Sequence, residues 1–285
     1  MLLFIVVSTG IGVVLIVPGW GLIGSSDVVG LVFLTASVLL GSFVMTKFIN
    51  RKPFGAIGLF FHPAALREFG MGCLLGFLMM SAVFVVEFTF GYAALSWRGM
   101  PLNVYLGLLG GSLALFALSA FLEEVLFRGY LFQTLIQAVT LVPAMLVMAI
   151  IFGLAHGRNP QAGFFSLINI GLAGIWLSIA YVKTRSLWLP FGLHLAWNFS
   201  QTTIYSFPTS GVTFESRKLF LLAQAGPEWV TGGAFGPEGG ILATLSLIGC
   251  TWYLLKSRQV AAPEGIITLD SVEDLLPPGE SEAKV

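Results

Sequence analysis

The amino-acid sequence predicts an all-α, polytopic transmembrane bundle of about eight spans, on three observations. Hydrophobic residues make up 56% of the 285 residues and charged residues only 10%, whereas soluble domains carry about a quarter charged residues. Mean hydropathy is +0.91. Apolar runs of near-spanning length recur along the chain, and most of the basic residues fall between them.

A helix crossing the hydrocarbon layer needs about 20 apolar residues. Runs of this kind occupy residues 2–17, 28–49, 71–95, 102–122, 141–156, 164–182, 187–205 and 240–255. The first and fifth are short, which leaves seven spans as the alternative count. The first lacks the basic segment and small-residue cleavage site of a secretory signal, so it reads as a retained span. Residues 208–239 form a long loop rich in glycine and proline, and its aromatic residues place it at the membrane interface. Loops of that length tend to be functional or disordered.

Orientation follows the basic residues. Lys47, Arg51, Lys52, Arg67, Lys183, Arg185, Lys256 and Arg258 share one side if both termini are cytoplasmic, while Arg98, Arg158, Arg217 and Lys218 lie on the other. Net charge is zero, which offers nucleic acid no basic surface. Cys73 and Cys250 sit in separate apolar segments and read as small core residues. No internal repeat supports a transporter, which would place interrupted helices in two matching halves.

The chemistry-bearing residues stand out against this background. Glu123 and Glu124 lie within a membrane-like run, where a carboxylate costs roughly 2.5–3.5 kcal/mol on insertion scales. Neighbours on a helix point about 100° apart, so the two acids are not expected to address one site. Glu124 and Arg128 are i,i+4 partners suited to an ion pair, which leaves Glu123 for chemistry. Phe152-Gly-Leu-Ala-His156 ends the next short span. His156 and Glu123 lie equally far from the intervening turn, which predicts equal depth and direct contact. His194 and Asn198, at i and i+4, share a helix face. They suit a developing oxyanion or, through an unprotonated imidazole, a metal. One tension remains: His194 lies just past the turn at Arg185, whereas His156 lies a full span from its own turn. The two meet only if the hairpin of spans four and five extends beyond the membrane, or if a helix is displaced.

Glu-Glu-Val-Leu-Phe-Arg-Gly, Phe-Gly-Leu-Ala-His-Gly and His-Leu-Ala-Trp-Asn resemble the EExxxR, FxxxH and HxxxN motifs of the CPBP family. This family groups type II CAAX prenyl proteases with bacteriocin-processing and immunity proteins. The resemblance covers Phe121 to about Asn198. It implies an intramembrane endopeptidase with a buried polar site between spans four, five and seven. Glu123 and His156 would activate a water, His194 and Asn198 would hold the oxyanion, and Glu124 and Arg128 would support the site. Two cofactor readings stay open. One is metal-free and glutamate-dependent; the other places a divalent metal such as zinc on Glu123, His156 and His194, with one position open. The implied partners are the lipid bilayer and a membrane-associated or lipid-modified peptide or protein substrate. The alternative is a non-proteolytic scaffold or immunity factor that binds a membrane protein or peptide.

On this reading residues 1–258 are the bundle, with a catalytic core over about 113–205, and 259–285 are a disordered cytoplasmic tail. Glu87 and Asn169 are expected to be structural, Asn169 as interhelical hydrogen-bonding glue. His62, beside Pro63 in a loop, is expected to be incidental.

Overall fold

The computed structural model describes Leu3 and residues 27–262. The expected first span and most of the expected tail lie outside the described residues. The rest is a helical bundle, and four of its helices are long and apolar enough to cross a membrane. Together they make this an integral membrane protein. The first described helix, α1 (Asp27–Val44), runs into a π-helical turn, Met45–Ile49. It is followed by α2 (Ala65–Thr89), strand β1 (Ala93–Trp97) and α3 (Leu102–Glu124). A π-helical segment, Val125–Tyr130, joins α3 to α4 (Leu131–Val139) across a kink at Gly129. Then come α5 (Leu141–Ala155), α6 (Phe164–Thr184) and α7 (Trp188–Phe199), which ends in a π turn, Ser200–Ile204. Strand β2 (Phe220–Gln224) and α8 (Ile241–Lys256) complete the chain.

Two boundaries depart from the sequence expectation. The third span begins and ends six residues early, at Ala65 and Thr89. Glu68, in its first turn, is buried and accepts a hydrogen bond from Ser186 Oγ at 2.6 Å. Residues 93–95, expected to be helical, instead join residues 96–97 in a strand antiparallel to β2, from Ala93 opposite Gln224 to Trp97 opposite Phe220. Gly91, with φ +71°, turns the chain out of α2 toward that strand. Span four, expected to run on from Leu102–Leu122 into the acidic motif with its turn near Val139–Thr140, does so: the helical run reaches Val139, 38 residues in all, across a kink at Gly129. At 1.5 Å per residue that is about 57 Å, against roughly 30 Å of hydrocarbon. Thr140, at φ 69°, reverses the chain into α5.

Small residues set the packing. A methyl group added at Gly72 would overlap the carbonyl oxygen of Leu189, one at Gly76 would overlap that of Leu193, and one at Gly192 would overlap that of Phe69. The α2 and α7 backbones are therefore in van der Waals contact, as small residues permit between helices in lipid. Gly153 and Gly174 bring α5 and α6 together in the same manner, against Leu167 and Ala149. The outer faces stay apolar, with Leu74, Phe77, Ile150, Leu154, Ile248 and Trp252 all exposed, as a lipid solvent requires.

The most buried of the four long helices is α6. Ile170 and Tyr181 join one apolar core with Phe127, Phe132 and Phe152. Trp176 and Leu177 join a second with Met80, Leu193 and Trp197. The turn after α6 is itself recessed: Arg185 and Ser186 are buried, and Leu187 N–H donates to Gly58 O at 2.9 Å. At the C-terminal end Ser257 O accepts from Lys183 Nζ, Gln259 O accepts from Arg67, and Val260 is buried.

Candidate active site

The expected site residues come from three helices. Glu123 and Glu124 close α3, where the helix widens into the π segment. Such widenings often mark functional positions. Within that segment Gly129 departs from helical geometry, with ψ −107°. Arg128 bends back along the same face, and its NH1 donates to Glu124 Oε1 at 3.0 Å. Its NH2 donates to Gly174 O at 3.2 Å, and its carbon lies 4.6 Å from the Phe152 ring centre. Both members of the pair are fully buried. The expected i,i+4 ion pair is present.

The next contact departs from expectation. The His194 Nδ1 nitrogen lies 2.8 Å from Glu124 Oε1, the oxygen that also receives Arg128. His194 Nε2 lies 3.8 Å from Glu123 Oε2. The two adjacent carboxylates thus do address one group, because a single imidazole is long enough to span the 100° between them. Glu124 is more than Arg128's counter-ion: it fixes the orientation of His194. With an arginine-paired carboxylate as its partner, Nδ1 is assigned as the donor, and Nε2 faces Glu123.

Glu123, His156, His194 and Asn198 all line one cavity of about 360 Å³. Its apolar walls include Leu115, Phe116, Phe152, Trp176 and Trp197. His194 and His156 line the same cavity, and the turn at Arg185 that precedes α7 is buried. The Phe152 ring packs beside both imidazoles, with centres 5.0 Å from His156 and 6.4 Å from His194. Direct contact between Glu123 and His156, however, is not what the structure holds. His156 Nδ1 lies 2.9 Å from Phe152 O. A carbonyl only accepts, so Nδ1 carries a proton, and whenever the ring is uncharged its lone pair is on Nε2. Glu123 Oε2 is buried without a hydrogen-bond partner.

The donor set does not fit the three-ligand metal reading. Among the described residues no three His, Cys, Asp or Glu side chains are grouped closely enough to hold one ion. His194 is committed through Nδ1 to the Glu124 carboxylate, and His156 through Nδ1 to a carbonyl.

The long loop folds over the cavity, contributing Thr209, Ser210, Val212, Phe214 and Glu238 to its lining. Asn159 Nδ2 donates to Ser210 O at 2.8 Å, and Gln201 Nε2 to Pro208 O at 2.7 Å. Asn169 Nδ2 donates to Glu238 O and Gly240 O, and its Oδ1 accepts from Thr244. Asn169 is thus the expected glue and a cavity wall as well. Glu238 was not anticipated. Its one sequence signal is an acid enclosed by Phe-Gly-Pro and Gly-Gly. Burial pushes its carboxyl above the ordinary range, while hydrogen bonds from Ser210 N–H and Oγ–H act the other way, as does nearby His156.

Two other residues settle away from the cavity. Glu87 is buried and receives Gln224 Nε2 at 3.5 Å, a structural tie between α2 and β2. His62 is not incidental: its side chain is buried, with Nε2 3.4 Å from Glu68 Oε2.

Comparison with known proteins converges on the same region. The family model for Type II CAAX prenyl endopeptidase Rce1-like proteins matches residues 105–200. Those residues run from early α3 through the π turn after α7 and contain all three motifs. The chain is also 25% identical over 202 residues to "Uncharacterized protein YyaK" of Bacillus subtilis (strain 168). That match takes in 66% of this chain and 64% of the relative, so the chain spans less than two thirds of that relative's length. No solved structure matches the chain. Residues 105–200, which carry Glu123, His156, His194 and Asn198 of the cavity lining, are similar to the type II CAAX prenyl endopeptidase Rce1-like family.

Proposed function

We propose that this protein is an intramembrane endopeptidase that hydrolyses a peptide bond in a membrane-associated or lipid-modified substrate, using a water activated by Glu123 and His156. The observation that carries the reading is the meeting of Glu123, His156, His194 and Asn198 on one cavity wall inside a membrane bundle. In the proposed reaction Glu123 Oε2 takes a proton from the water, and His156 Nε2 accepts a hydrogen bond from it. The water oxygen adds to the scissile carbonyl carbon. The oxyanion forms against the N–H of the Asn198 carboxamide and against His194, whose Nε2 carries a proton in this step while Nδ1–H donates to Glu124. The C–N bond then breaks, and Glu123 returns its proton to the leaving amine. Arg128 neutralises Glu124 and keeps the acid pair in place. No step needs a metal. Both termini are proposed to be cytoplasmic, as the basic residues indicate.

The test compares membranes from cells producing the wild-type chain or Glu123→Ala, with peptide termini mapped by mass spectrometry. New carboxyl-terminal ends that require Glu123 and His156 are expected. A partner-binding scaffold without hydrolysis would give identical termini in both membranes, and that result would end the peptidase reading.

A further inference from the structure

The cavity is electrically lopsided. Two acids, Glu123 and Glu238, and two histidines, His156 and His194, line it, and among the described residues no lysine or arginine does. Arg128 lies within hydrogen-bond reach of Glu124 and is engaged there. Glu238 is different. Only 7% of it is exposed, its carboxylate is held by neutral donors on Ser210 and Gln201 with His156 nearby, and among the described residues it forms no ion pair. A carboxylate in such surroundings is costly to desolvate unless a cation joins it. Its backbone is held by Asn169, and the loop turn facing it is pinned by Asn159 and Gln201. The acid is therefore held in position before any ligand arrives. It also lies beyond residues 105–200, outside the region that the family model matches.

We infer that Glu238 is a specificity-determining residue that pairs with a cationic side chain, lysine or arginine, of an otherwise apolar peptide segment in the cavity. A volume of about 360 Å³ lies within the range of small-ligand sites, enough for a few side chains. The apolar walls suit aliphatic neighbours of the cation. A cation placed there relieves the buried carboxylate, while a neutral side chain of the same length leaves it unpaired. That asymmetry is the source of selectivity. The inference rests on the peptidase reading for the word substrate, but its test does not need turnover.

The probes are acetyl-Leu-Leu-Lys-Leu-Leu-amide and its norleucine counterpart, with dodecylamine as a lipid-like amine. Binding to Glu123→Gln protein in micelles is followed through tryptophan fluorescence, since Trp176 and Trp197 line the cavity. The lysine peptide is expected to bind at least tenfold more tightly than the norleucine peptide. That ratio should collapse in the Glu123→Gln/Glu238→Gln protein and persist in Glu123→Gln/Glu238→Asp, which retains the charge. Equal binding of the two peptides, or a ratio that survives Glu238→Gln, overturns the proposal. So does tighter binding of dodecylamine than of the lysine peptide, which would assign the acid to a lipid amine. A protein that shows the ratio but produces no new peptide termini would refute the peptidase reading alone.

Discussion

Replacing Glu124 by alanine tests how the polar site is held together. The substitution leaves the Arg128 guanidinium buried with Gly174 O and the Phe152 ring as its remaining partners. It also strips His194 Nδ1 of its acceptor. Breaking a buried ion pair from one side costs about 3–5 kcal/mol, and an orphaned buried donor costs about 1–3 kcal/mol. The two overlap, because both concern one carboxylate oxygen, so the expected loss is about 3–5 kcal/mol. Against a total stability of about 5–15 kcal/mol, that loss is large. Thermal unfolding in micelles should show Glu124→Ala melting on the order of 10 °C below wild type. The double variant Glu124→Leu/Arg128→Met, which removes both charges and refills their volume, should recover part of that loss. If Glu124→Ala unfolds within about 1 kcal/mol of wild type, the argued pairing of Arg128, Glu124 and His194 is wrong.

Further expectations follow from other parts of the molecule. Glu123→Ala and His156→Ala should each lower cleavage at least about 100-fold while melting near wild type, read by terminus mapping beside thermal unfolding; unchanged cleavage in either would remove that residue from the mechanism. Dialysis against a chelator should leave cleavage intact, because the donor set gathers no three-ligand site; loss of activity restored by zinc would reverse that conclusion. Gly76→Leu should abolish folding, and Gly76→Ala should cost about 1–3 kcal/mol, since any side chain there strikes the Leu193 carbonyl; a stable Gly76→Leu protein would contradict the α2–α7 contact. The Glu238 carboxyl is raised from 4.5 by burial, so the folded chain binds more protons than the unfolded one above that pH. Stability from this group is therefore lost as pH rises through its folded pKa. The melting temperature of Glu238→Gln relative to wild type should climb as pH increases from about 4.5. His156, the other titratable group facing Glu238, is common to both proteins; a difference that stays flat with pH would refute the shift.

Some features were legible in the sequence because they are local. Hydropathy places the chain in a membrane, since roughly 20 apolar residues in a row have no better solvent. The i,i+4 spacing encodes the Arg128–Glu124 pair, because one helix fixes both ends. The motif spacing likewise singles out Glu123, His156, His194 and Asn198. What lies between helices was not legible. That His194 reaches both acids depends on α7 sinking against α2 through Gly72, Gly76 and Gly192, and on a turn at Arg185 that is buried. That residues 93–95 leave their helix depends on a strand partner more than 120 residues away. Glu238 enters the cavity only because its loop folds inward onto Asn169 and Asn159. Sequence periodicity reports which face of a helix is apolar; the depth and rotation of one helix against another are set by close packing, and those decide which charges meet.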